Sequence, residues 1–184
     1  TELEKGLCDR IDGLQHVDEI LLVDQALLHA SRRSCPASLC NALSPIRALL
    51  AQTPEARRLG YSPGYFSFNI PGGRCPVCQG RGELQYEMQF LDDILLQCDS
   101  CQGRQFTADA LKIRYRGQQI HDILNMTVSQ ALQLFCDQPV IVQRLSLLND
   151  VGLGYLRLGQ NTALISGCEA QRLKLATVLA ERQS

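Results

Sequence analysis

Four cysteines, Cys75, Cys78, Cys98 and Cys101, stand as CxxC, nineteen residues, CxxC, and this spacing limits what the middle of the chain can become. Two residues between cysteines let both sulfurs of a tight knuckle face one ion, and two knuckles supply four thiolates at tetrahedral geometry. That donor set suits zinc, with Zn–S distances near ~2.3 Å. A single CxxC also occurs in redox pairs and among unligated cysteines; a second knuckle at this spacing favours a metal over both. The knuckles read "CPVCQGRG" and "CDSCQGR", so Gly80 and Gly103 each follow the second cysteine by two residues. This fits close backbone turns in which a Cβ would crowd the sulfur. The segment has few apolar anchors, so metal binding is expected to supply its folding free energy, on the order of 10 kcal/mol. Four sulfurs fill the coordination shell and leave no position for water, which makes the metal structural.

The remaining cysteines, Cys8, Cys35, Cys40, Cys136 and Cys168, do not cluster by spacing, and the odd total of nine argues against a purely disulfide framework. The first residues, "TELEKGLCDR", lack the basic-then-apolar pattern of a signal peptide. A reducing, cytoplasmic setting follows as the expectation. Thr1 in place of Met, and an end inside the helix-like "VLAERQS", suggest a piece of a longer chain. A length of 184 residues suits one domain with an inserted module. With aromatic residues at 5% and no Trp, aliphatic side chains must dominate the core. A formal net charge of −1 gives no general electrostatic grip on nucleic acid, so such contact must come from local patches. Arg74, Arg81 and Arg104 flank the knuckles and read either as phosphate contacts or as solvated surface.

The pattern along the chain is mixed α/β. "VDEILLVDQ", residues 17–25, reads as a strand delivering Asp24 and Gln25 to its carboxyl end, either a plain buried strand or one bearing a metal-binding acid. "HASRRSCPASLCNALS" reads as a polar loop, and "PIRALLAQTPEARRLG" as helical, with Pro45 in its first turn. "YSPGYFSFNIPGGR" marks a boundary. The alternation in "ALKIRYRG" suggests a strand with Leu111, Ile113 and Tyr115 on one face. Thr127 is placed to cap a helix lined by Val128, Ala131, Leu132 and Phe135. A further helix starts near Pro139 and carries Ile141, Leu145 and Leu148 before the glycine-rich "DVGLGYLRLGQ" breaks it. Three parts result: residues 1–70, the cysteine module at 71–116, and a helical part at 117–184.

In "ALISGCEAQRLKLA", Ser166 and Glu169 fit a Ser-x-x-Glu capping box, with Leu173, Ala176 and Ala180 on one apolar face. Two readings stand level on spacing alone. One is a well-capped core helix; the other is a helix whose amino terminus receives a phosphate.

"ISGCEAQRLKLA" resembles the signature of ABC ATPases. With "FSFNIPGGRCPVCQGRG", "DDILLQCDSCQGRQF" and "DVGLGYLRLGQ" it resembles the UvrA family of the ABC excinuclease system, in particular its second nucleotide-binding half. The resemblance implies a partial ABC-ATPase domain: a Q-loop strand and a helical signature subdomain, with an inserted four-cysteine zinc module. It also implies a DNA-repair ATPase that dimerises, binds damaged duplex DNA and loads UvrB. By this likeness Cys75, Cys78, Cys98 and Cys101 match the zinc ligands, and Gln25 matches the Q-loop glutamine near the metal. Ser166, Gly167, Cys168, Glu169, Gln171 and Arg172 match the signature, while Arg33, with Arg74, falls where DNA contact is implicated. ATP and Mg2+ would be bound only in a longer protein, since no Gly-x-x-x-x-Gly-Lys-Ser/Thr loop is present; the chain alone is expected to be inactive.

The resemblance has departures. Cys168 stands where the family has the second glycine of Ser-Gly-Gly-Glu, and Ala30 and Cys35 replace a family arginine and asparagine. These changes suggest a diverged paralogue, in one version without ATP coupling. The CxxCxGxG knuckles are also similar to those of DnaJ, whose cysteine-rich region carries four such motifs. A zinc-dependent protein-binding module is therefore the alternative, with Gln105 ending its second motif in place of Gly.

Overall fold

The computed structural model describes residues 12–17, 34–86 and 94–182. Asp24, Gln25, Ala30 and Arg33, and with them all but Val17 of the Q-loop strand expected over residues 17–25, lie outside the described residues, as does Cys8.

Short helices with identifiable start signals build the body. Helix α1 (Pro36–Leu39), α2 (Leu43–Ala51) and α3 (Pro54–Arg58) come first. The expected 45–60 helix is divided between α2 and α3, because Pro54 has no N–H to continue the ladder and Thr53 caps the new start, accepting from Ala56 N at 3.4 Å. The module's hairpin follows: β1 (Glu83–Tyr86) pairs antiparallel with β2 (Ile94–Gln97), in register Glu83↔Gln97 to Tyr86↔Ile94. Then come α4 (Ala108–Lys112), α5 (Ile120–Asn125), α6 (Val128–Leu134), α7 (Pro139–Asp150) and the 16-residue α8 (Gly167–Arg182). Among the described residues, no helix is long and apolar enough to cross a membrane.

One apolar cluster draws on residues from Cys35 to Ala180. Helix α7 lies between α6 and α8. Ile141, Leu145 and Leu148 recur at helical spacing and are buried, and α8 answers with Leu173, Ala176 and Ala180. The two alanines let α8 approach closely. The α6 stripe of Val128, Ala131 and Phe135 is buried as its period requires, with Leu132 at its edge.

Helix α6 owes its start to a reciprocal cap: Thr127 Oγ1 accepts from Gln130 N at 3.2 Å, and Gln130 Oε1 accepts from Thr127 N at 2.9 Å. Thr127→Ala removes one half of that exchange. It should lower the urea-unfolding free energy by about 1 kcal/mol, whereas an unchanged midpoint would mean that packing alone sets this helix start.

Two expectations are corrected. Residues 34–42 are not a polar loop, because α1 folds there with Cys35 and Cys40 buried at its two ends. Pro36 opens the helix, and Ser38 Oγ both accepts from Cys35 N (2.9 Å) and donates to Cys35 O (2.7 Å). Burial pushes the Cys35 thiol up and that of Cys40 up to about 11, so both act as small apolar residues. The second correction concerns "ALKIRYRG". Thr107 caps α4, so Leu111 is helical; only then does the chain extend through Ile113 to Tyr115, which bridges Gln118 across a turn at Arg116 and Gly117. All three apolar residues still meet the core, Tyr115 by stacking on Phe135 at 5.7 Å between centroids.

Candidate functional site

The module closes at two levels. Near the body, Arg74 bridges Phe106, with Cys75 N donating to Gln105 O (2.8 Å) and Thr107 N to Gly73 O (2.8 Å). Farther out, Cys98 N donates to Gly82 O (2.9 Å) and the β1–β2 pairing begins. Between these closures the two knuckles face each other. They repeat one backbone form: Gln79 and Gly80 take φ of +52° and +82°, and Gln102 and Gly103 take +51° and +77°. Gly80 is required for a second reason, because a Cβ there would run into the Phe68 carbonyl. Gly82 N donates to Cys78 Sγ at 3.2 Å.

The four sulfurs of Cys75, Cys78, Cys98 and Cys101 lie within 4.8 Å of one another, and all four residues are buried. Across the knuckles Cys75 Sγ and Cys98 Sγ are 4.0 Å apart, and Cys78 Sγ and Cys101 Sγ 3.6 Å. A tetrahedral shell with Zn–S near ~2.3 Å has S···S edges of about 3.8 Å, so the donor set fits zinc in kind and in size. Among the described residues only Leu84 packs on this cluster, which leaves little apolar surface to hold it. Burial raises the Cys75 thiol, but the backbone amides of Cys78 and Val77 and the neighbouring thiols outweigh it and bring it down to about 7; burial sends Cys101 the other way, to about 12. Four thiols in so small a space cannot all ionise without a cation, and a divalent ion supplies that charge. Arg74 donates to Asn69 O (2.8 Å) and Arg104 to Cys101 O (3.2 Å), so one guanidinium braces the chain leading into the module and the other the second knuckle.

A cleft of about 220 Å³ separates the module from the chain leading into α8, lined among others by Gln79, Arg81, Gln105, Asn161 and Leu164. Beyond it lies the amino terminus of α8. The Ser166–Glu169 capping box is formed: Glu169 Oε2 accepts from Ser166 N and from Ser166 Oγ, each at 2.7 Å, and Glu169 N donates back to Ser166 Oγ at 3.4 Å. Gly167 and Cys168 are exposed in the first turn, and among the described residues nothing lies within 4 Å of a Cβ placed at Gly167. Gln171 is half-buried and Arg172 exposed farther along the helix.

The sequence reading missed Tyr155, whose hydroxyl donates to Glu169 Oε1 at 2.6 Å. Its one signal was an aromatic residue in a glycine-rich loop. The Tyr155 and Ser166 hydrogen bonds hold the Glu169 carboxyl below its ordinary 4.5. A lowered folded-state value means that the cap's contribution is present above the ordinary carboxylate range and is lost as pH falls through the lowered value. Amide protection at Ser166 should therefore hold at about pH 6 and decline toward about pH 3. Protection that is flat over this range would show that the carboxylate is not the cap.

A mainly helical body that carries a buried four-cysteine centre on a two-stranded hairpin defines the class. No protein-family model matches the chain. It is 45% identical over all 184 residues to the UvrABC system protein A of Pseudomonas aeruginosa, covering 20% of that protein. It is 48% identical over 174 residues to that of Haemophilus influenzae, covering 95% of the chain and 18% of the relative. In structure it is similar to UvrA2 from Deinococcus radiodurans, with a TM-score of 0.80 and 44% identity over 86% of the chain and 19% of that protein. The chain fits a fragment of a UvrA-family protein and spans about a fifth of the length of these relatives.

Proposed function

We propose that this chain is the zinc-bearing and signature-bearing part of a UvrA-type ABC ATPase that recognises damaged DNA in nucleotide excision repair. One observation carries the reading: α8 points a capped, exposed first turn outward while its opposite face is locked in the core. A glycine at 167 that no contact among the described residues requires suits a backbone meant to be approached from outside.

In this reading Ser166 Oγ and the N–H groups of Gly167 and Cys168 meet the terminal phosphate of a nucleotide held, with its Mg2+, by an opposite half. Glu169 holds the turn, Gln171 and Arg172 extend the signature, and Gln25 serves the Q-loop. Cys75, Cys78, Cys98 and Cys101 hold a structural zinc that fixes the hairpin, and Arg33 and Arg74 are the candidate DNA contacts. The organisation is residues 1–70, 71–116 and 117–184. A dimer, damaged duplex DNA and a UvrB-type protein are the partners, in the cytoplasm. The DnaJ-like alternative is not favoured, because the relatives are UvrA proteins and it leaves α8 unexplained.

Cys168 stands exposed in the turn that would meet the phosphate, and this favours a version of the reading with weakened ATP coupling. The test is a chimaera in which residues 1–184 replace the matching segment of the Pseudomonas aeruginosa protein. The isolated chain should show no ATP turnover and the chimaera should show it. Ser166→Ala should lower chimaera turnover by roughly ten- to a hundredfold, and Cys168→Gly should raise it. A folded, zinc-loaded chimaera indifferent to Ser166→Ala would overturn the reading.

A further inference from the structure

Tyr155 is 59% exposed, yet the loop around it is fixed. Leu153, Leu156 and Leu158 on either side are buried. Val128 N donates to Leu156 O (2.9 Å), Ser129 N to Gly154 O (3.0 Å) and Leu158 N to Met126 O (2.9 Å), which ties the loop to the start of α6. Gly154 permits this approach, since a Cβ there would press on Ser129 Oγ and Asn149 Oδ1. Burial does not account for where the Tyr155 ring lies; its bond to Glu169 Oε1 at 2.6 Å does.

We propose that Tyr155 is a positioning residue for the first turn of α8, holding Glu169 so that Ser166 is presented to a phosphate. The carboxylate has two oxygens with separate duties. Oε1 is anchored to the phenol, and Oε2 takes both the N–H and the hydroxyl of Ser166. When an anion arrives, Ser166 Oγ turns its proton toward the phosphate and gives up Oε2. Tyr155 then keeps the carboxylate on the Ser166 N–H, and the turn holds its shape. Without the phenol the exposed carboxylate rotates into water, and the turn loosens when it has to be rigid. The path from α6 through residues 153–158 to Glu169 thereby ties the helical body to the turn. The catalytic half of this proposal rests on the nucleotide-contact reading above; the positioning half does not.

Tyr155→Phe keeps the ring and deletes only the donor. In the chain itself, a carboxylate NMR titration should place Glu169 closer to its ordinary value. Ser166 N–H should exchange roughly tenfold faster, as for loss of a hydrogen bond to a charged group. Amide protection at Ala131 in α6 and zinc content should not change. In a Glu169→Ala background, where the acceptor is gone, the same substitution should add nothing. An unmoved Glu169 titration, or protection lost equally from α6 and α8, overturns the proposal. In the chimaera, Tyr155→Phe should cut ATP turnover roughly tenfold. An active chimaera indifferent to Tyr155→Phe overturns the catalytic half. An inactive chimaera whose Glu169 and Ser166 still respond to Tyr155→Phe overturns the nucleotide-contact reading and supports the positioning role.

Discussion

Stripping the metal from the four-cysteine centre is expected to unfold residues 75–86 and 94–104 and leave α5 to α8 standing. Among the described residues the module's buried cluster consists of the four cysteines with Leu84 beside them, and β2 exposes Ile94, Leu95 and Leu96 to solvent. Two four-residue strands with so little burial do not hold together in water. A bound ion would supply what the apolar surface does not, on the order of 10 kcal/mol for a site of this kind. The helical body has its own cluster, from Cys35 to Ala180, and does not need the sulfurs. Hydrogen exchange on chelated protein should show amide protection gone at Cys98 and across β1–β2, and retained at Ala131 and Phe135. Cys98→Ser should give the same pattern without a chelator. Equal protection in metal-free and metal-loaded protein would contradict this division.

Phe106→Ala should do the reverse, lowering the stability of the body while the zinc stays bound. Phe106 is 1% exposed, sits opposite Arg74 where the module's two chains meet the body, and belongs to the large apolar cluster. Truncating a buried Phe costs about 3–5 kcal/mol from lost transfer energy and the cavity left behind. The knuckles lie outward of this closure, so their four sulfurs keep their places. Urea unfolding followed by helix signal, with zinc measured on the same samples, reads both effects. A loss below about 1 kcal/mol would place Phe106 outside the core, and release of zinc at low urea would join the two units that are here separate.

What was legible in the sequence was local. CxxC knuckles and the Thr127 and Ser166 caps are set by residues three or four apart, and each formed as its pattern requires. The α7 and α8 faces were legible because three buried positions at helical spacing leave little choice of direction. Where short-range patterns pointed two ways, a neighbour decided. Leu111, Ile113 and Tyr115 alternate like a strand, but the Thr107 cap turns the first of them into a helix and the chain extends only afterwards. Arginines and serines around Cys35 and Cys40 disguised a buried helix, because thiols read as polar in a sequence and pack as apolar groups. Gly80 was expected to make room for sulfur, yet the Phe68 carbonyl is what excludes a side chain there. The Tyr155–Glu169 bond spans 14 residues and depends on how α6 holds the intervening loop, which no local pattern encodes.

Zinc K-edge absorption on the purified chain tests most directly whether one ion organises the module on which this architecture depends. One zinc per chain, with four sulfur neighbours at about 2.3 Å and no lighter ligand, is the expected spectrum. Metal-free protein with the β1–β2 pairing intact, or a shell containing nitrogen or oxygen, would contradict it.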